Sequence, residues 1–160
     1  YVKKGGVLVK VLIVYDTFFG NTEKIAREIS RGVSDTDLVN VGNFKLEQLK
    51  GIDLLVVGSP TRAFSASENI KKTLQSLPAG SLKGIRTAAF DTRVNVHEIN
   101  NGFLKFMAGT FGYAAPSIAK KLESKGGIRA KEPEGFYVKD SEGPLKNGEL
   151  ERAAGWLKEV

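Results

Sequence analysis

The stretch VLVKVLIVYDTFFGNTEKIA, residues 7–26, decides the fold. Its first half, Val7 to Tyr15, is almost wholly apolar and β-branched. That is how a strand buried on both faces of a parallel sheet reads. The period then changes. From Thr22 to Val33 the apolar residues Ile25, Ile29 and Val33 recur at helical spacing with charges between them, which makes an amphipathic helix. The turn between strand and helix has two readings: it simply turns the chain and caps the helix, or it holds an anion. Gly20 lets a bound group approach the backbone. A helix N-terminus presents unpaired N–H groups at the positive end of its dipole, and Thr17, Asn21 and Thr22 add side-chain donors. Capping alone needs one hydroxyl or amide, so the cluster favours a phosphate dianion.

Outward from this turn, strand and helix patterns alternate. Leu38 to Val41 is a short strand, and Asn43 to Leu49 a short helix with Phe44, Leu46 and Leu49 inward. Asp53 to Gly58 is a buried strand. Glu68 to Leu77 is a helix with Pro78 just beyond it. Arg86 to Phe90 is the fourth strand, and Tyr113 to Lys125 a helix stopped by Gly126 and Gly127. Ile128 to Val138 holds the last strand, interrupted at Pro133. Gly148 to Val160 is the last helix, with Leu150, Ala153, Ala154 and Leu157 on one face. The order predicts an α/β protein of three layers, doubly wound, with a five-stranded parallel sheet in the order 2-1-3-4-5. No linker or repeat interrupts residues 1–160, so a single domain is expected.

In such a sheet the ligand sits beyond the carboxyl ends of the strands, at the switch between the first and third. Three segments meet there: Asp16 to Thr22, Ser59 to Ser65 and Asp91 to Asn95. In the second, GSPTRAF, small residues suit a backbone that touches a flat ligand, and Phe64 or the Arg62 guanidinium could cover a ring face. A proline turn is the plainer reading. The third, DTRVN, offers donors and an acceptor, or is a simple turn. Neither GxxxxGK[ST] nor a GxGxxG after the first strand is present, against a P-loop NTPase and against ordinary dinucleotide binding.

Bulk properties narrow the classes further. The chain has 160 residues, 41% hydrophobic and 26% charged, an ordinary globular composition. No apolar run reaches the ~20 residues that span a bilayer, and no signal peptide is read at the start. A cytoplasmic protein without a membrane partner is expected. With no cysteine and one histidine, His97, disulfides, iron–sulfur ligation, cysteine nucleophiles and multi-histidine metal sites are excluded. The net charge of +6 is spread along the chain without an aromatic-interleaved basic motif, so no nucleic-acid partner is expected.

These residues carry a resemblance. TFFGNTEKIA resembles the phosphate signature of the flavodoxin-like family, a T/S-x-T-G-N-T pattern opening a helix, and LLVVGSPTRAF resembles the family's loop after the third strand. The resemblance runs over the whole chain in element order. It implies a flavodoxin-like fold, FMN as cofactor and electron transfer as activity, with no side chain acting as acid or base. Carried onto this chain, Thr17, Gly20, Asn21 and Thr22 would hold the phosphate, with Phe18 and Phe19 in the same loop. Ser59, Pro60, Thr61, Arg62, Ala63 and Phe64, with Asp91, Thr92 and Arg93, would border the isoalloxazine. Phe19 stands where the family usually has a hydroxyl. A charge-assisted hydrogen bond is worth ~1.5–3 kcal/mol, so its loss would lower affinity by roughly ten- to a hundredfold unless another group compensates. The second loop lacks the family's tryptophan and the third its tyrosine. A basic chain implies a redox partner protein with an acidic surface, the chain itself being a monomer or homodimer. Two alternatives remain: an NAD(P)H-dependent quinone or FMN reductase, whose branch GSPTR also resembles, and a flavin-free binding domain.

Val96 to Tyr113 is long for a connection in this fold. It reads either as a lid or dimer contact, or as a longer fourth helix packed on the sheet. Phe103 and Met107 suit the packed reading, Phe106 and Phe111 the lid or interface. His97 is either a proton donor near the ring edge or an ordinary surface residue.

Overall fold

A computed structural model describes residues 3–4, 7–98 and 101–160. Strand β1 (Val11–Tyr15) is buried along its whole length. Its side chains alternate: Val11, Ile13 and Tyr15 join one core, Leu12 and Val14 the other. A two-sided apolar run is what this requires. Helix α1 (Asn21–Arg31) returns over the first core and inserts Ile25, Ala26 and Ile29. Full burial of a side chain such as Ile25 contributes about 1.5–3 kcal/mol. Strands β2 (Thr36–Asn40) and β3 (Leu54–Pro60) flank β1 in parallel, and β4 (Arg86–Val94) lies beyond β3. Helix α2 (Glu68–Ser76) starts at Ser67, whose hydroxyl accepts the Ile70 N–H at 3.3 Å.

Helix α3 (Gly102–Phe111) lies between β4 and α4 (Ala114–Ser124). The fifth position in the sheet is filled by two short strands, β5 (Ile128–Arg129) and β6 (Glu134–Val138), both parallel to β4. Pro133 falls between them, where it need not supply a ladder N–H. Helix α5 (Glu149–Gly155) closes the fold. The sheet order is β2-β1-β3-β4 with β5 and β6 at the edge, the expected order 2-1-3-4-5. Helices α1 and α5 cover one face, α2 and α4 the other. In the first core Phe90, Phe136 and Trp156 meet edge to face at 6.0–6.1 Å between ring centres. Gly58 makes room for this cluster: a Cβ there would sit 2.0 Å from the Phe90 ring.

Several boundaries differ from expectation. Val7–Leu8 does not continue β1; it pairs antiparallel with Lys3–Lys4 in a separate two-stranded sheet. The chain breaks at Lys10, whose N–H donates to the Asp53 carboxylate at 2.9 Å. The short helix at 43–49 is a pair of 3₁₀ turns, Val41–Asn43 and Leu46–Leu49, and Leu46 faces solvent while Leu49 is buried. Leu150 is exposed, while Ala153, Trp156 and Leu157 are buried.

The reading of Phe103 as packed is overturned: it is 68% exposed, as Phe106 is at 67%, while Met107 is half-buried. The helix that covers the sheet is α4, separated from α3 by Gly112 at φ 74°. Ile99 and the side chains of Leu104 and Phe111 lie outside the described residues.

Candidate functional site

The carboxyl ends of β1, β3, β4 and β6 border a cleft of about 300 Å³, within the size range of small-molecule sites. One end is built from the loop after β1. Asp16 is buried, and its Oδ1 accepts the Thr17 N–H at 2.9 Å. The Thr17 hydroxyl in turn accepts the Gly20 N–H at 2.9 Å. Gly20 stands at the N-cap of α1 with φ 90°, a left-handed conformation that favours glycine. Among the described residues no side chain caps α1, so its first-turn N–H groups remain available at the cleft.

The neighbouring polar side chains are spoken for in part. Asn21 donates to the Glu142 carbonyl at 3.1 Å and ties the loop to the distant 140s segment. The hydroxyls of Thr22 and Thr92 lie 2.8 Å apart and share one hydrogen bond, which leaves one hydroxyl hydrogen free. Thr17, whose oxygen is used as an acceptor, also keeps its hydrogen to donate.

The opposite end is built around a buried ion pair. Asp91 is fully buried and Arg93 binds it bidentately, Nε to Oδ1 at 2.6 Å and Nη2 to Oδ2 at 2.7 Å. Asp91 also accepts the Ala115 N–H at 2.8 Å. Burial is the largest influence on Asp91 and pushes its carboxyl above the ordinary range, against the pull of Arg93, Ala115 and Thr61. The guanidinium sits close to the Tyr113 ring and to the Gly135 backbone. The Tyr113 ring centre is 3.8 Å from its central carbon, and on Gly135 a Cβ would fall 2.1 Å from Nε. The Thr61 hydroxyl accepts the Ala114 N–H at 3.0 Å and fixes the start of α4 against the loop after β3.

Eleven of the sequence-derived candidates line the cleft: Thr17, Phe18, Phe19, Asn21, Thr22, Pro60, Thr61, Arg62, Ala63, Thr92 and Arg93. Four stand behind it. Gly20 shapes the loop. Ser59 is fully buried, accepts the Ser67 N–H and donates to the Pro60 carbonyl, both at 2.9 Å. Phe64 lies at the tip of a turn. Asp91 anchors Arg93.

Asp91 to Val94 is not a loop, because β4 runs on to Val94, held by β6 through the pairs Asp91–Gly135 and Thr92–Phe136. Val94, Val138 and Ser141 also line the cleft and were not among the candidates. The strand-end rule would have found Val138 and Ser141 had it been extended to the last strand. His97 is exposed and is not among the lining residues.

A three-layer α/β protein with a glycine-led helix start opening onto a cleft at the switch point of its sheet is thus defined by fold and site. The description of the flavodoxin domain matches residues 12–101, and the chain belongs to that family. No curated protein matches the sequence. Among solved structures, flavodoxin 1 from Bacillus cereus superimposes with a TM-score of 0.70 at 15% identity, over 92% of this chain and 93% of that one. A flavodoxin from the domain Archaea gives 0.63 at 22%, over 91% and 92%. Rubredoxin oxygen:oxidoreductase from Desulfovibrio gigas gives 0.66 at 21%, over 91% of this chain, which spans only 33% of that larger protein. At these identities the likeness speaks for the fold.

Proposed function

We propose that the protein is an FMN-binding electron-transfer flavoprotein of the cytoplasm that exchanges electrons with a partner protein of acidic surface. The observation that carries this reading is the uncapped, glycine-led start of α1 opening onto a cleft of about 300 Å³. A flavin mononucleotide fits the donor set. The first-turn N–H groups of α1 and the free hydroxyl hydrogens of Thr17 and of Thr22 or Thr92 would hold its phosphate. The walls formed by Pro60, Thr61 and Ala63 on one side and Thr92, Arg93 and Val94 on the other would border its ring. Bound there, FMN supplies one- or two-electron transfer. The chain's part is to bind, orient and shield, and no side chain is assigned as acid or base. The family match and the net charge of +6 support the carrier reading and the acidic partner. Among the described residues no helix is long and apolar enough to cross a membrane.

The test is the visible spectrum of the purified protein before and after addition of FMN. Absorption bands at ~370 and ~450 nm that stay with the protein through gel filtration are expected of a bound flavin. Unchanged FMN fluorescence at high protein concentration would remove the cofactor. Rapid NADH or NADPH oxidation by the loaded protein would make it a reductase instead of a carrier.

A further inference from the structure

Phe19 leaves the phosphate loop one hydroxyl short, and the structure shows what stands over it. The Arg62 guanidinium carbon lies 4.9 Å from the Phe18 ring centre and 5.8 Å from that of Phe19. Both distances are within cation–π range. Arg62 is exposed and has no carboxylate partner among the described residues. All three side chains line the cleft. Arg62 therefore reaches from the loop after β3 to the loop after β1, and its charge rests on the phosphate loop.

The turn that delivers it is closely defined. Arg62 and Ser65 exchange backbone hydrogen bonds at 2.9 and 3.0 Å. The two residues between them, Ala63 at φ 46° and Phe64 at φ 64°, are both left-handed without being glycine. Such a pair is costly for L residues and persists where its surroundings fix it. Backbone pairing of Thr61 N–H to the Thr92 carbonyl at 2.9 Å anchors the base of this turn to β4.

We propose that Arg62 is an anion anchor of the phosphate end, seated on Phe18 and Phe19 and replacing by its charge the hydroxyl that Phe19 lacks. This rests on the FMN reading above. A guanidinium presents a planar fork of donors to phosphate oxygens. The aromatic pair that removes a neutral donor thus supplies the seat for a charged one. The ligand class it selects is a flavin carrying a phosphate over one without.

The experiment is a pair of fluorescence titrations, FMN and riboflavin, on the full chain and on Arg62→Gln, Arg62→Lys and Arg62→Gln/Phe19→Thr. Loss of a charge-assisted contact predicts that Arg62→Gln weakens FMN by about ten- to a hundredfold and leaves riboflavin within about twofold. Arg62→Lys should keep part of the preference, and added salt should weaken FMN more in the native chain than in Arg62→Gln. Restoring the hydroxyl in the double variant should recover FMN affinity without changing riboflavin. Equal losses for both ligands would overturn the proposal and make Arg62 a cover for the ring. Unchanged FMN affinity in Arg62→Gln would also overturn it. If the native chain binds neither ligand, the cofactor reading itself falls and the anchor falls with it. Circular dichroism of each variant separates a folding defect from a binding one, and the salt dependence of the native chain still reads the anchor if Arg62→Gln fails to fold.

Discussion

At one end of the cleft, around Gly20, the chain works with backbone: a left-handed glycine, an uncapped helix start and hydroxyls that keep a hydrogen in reserve. At the other end, around Arg93, it works with charge held by tertiary structure. A fully buried carboxylate, a guanidinium pinned between Tyr113 and the Gly135 backbone, and the N–H of Ala115 come together from three separate elements. The first end is local in sequence and keeps its donors for a ligand. The second spends its donors on itself. The difference separates binding from support: changes at the phosphate end should be read mainly in affinity, and changes at the Arg93 end mainly in stability.

The largest effect is expected at the Arg93 end. Arg93→Ala leaves the Asp91 carboxylate buried without its partner and should cost about 3 kcal/mol or more, seen as a lower urea midpoint. Removing both charges in Asp91→Asn/Arg93→Gln should recover a good part of that loss. If the double variant is no better than the single, the cost is lost packing and the contrast in mechanism is gone.

A middle effect belongs to Gly20→Ala. Space is open around that Cβ, so only the left-handed backbone resists it, and the strain should cost about 1–2 kcal/mol in the same urea measurement. A loss larger than that of Arg93→Ala would reverse the comparison.

The smallest effect on stability is expected of Thr17→Ala. It removes one acceptor for a single N–H and should cost only about 0.5–1.5 kcal/mol. FMN affinity should nevertheless fall by roughly tenfold, since one phosphate donor is gone; calorimetric titration reads that number directly. Loss of stability with no change in affinity would assign Thr17 to the loop alone.

The same contrast governs what could be read in advance. The Gly20 end of the cleft was legible because its parts are neighbours: Thr17, Gly20, Asn21 and Thr22 follow one strand and open one helix. The other end was legible only in part: Asp91, Thr92 and Arg93 stand among the candidates, but the ion pair does not. Arg93 and Asp91 lie in a segment that reads as a loop, because a short stretch with mixed polarity lacks the period of a buried strand; pairing with β3 and β6 extends β4 through them. Tyr113 and Gly135 join the site through contacts that no local spacing encodes.

Element order and sheet topology were determined by the sequence alone, through alternating buried runs and amphipathic helices that leave few right-handed windings. The tertiary structure decided which polar groups remain free for a ligand and which are already satisfied. Asn21 turns to the Glu142 carbonyl, Arg93 is locked to Asp91, and Arg62 rests over two phenylalanines without a carboxylate partner among the described residues. The physical reason is range. Burial pattern is a property of successive residues, whereas the satisfaction of a hydrogen-bonding group depends on whatever distant segment the fold brings within about 3 Å.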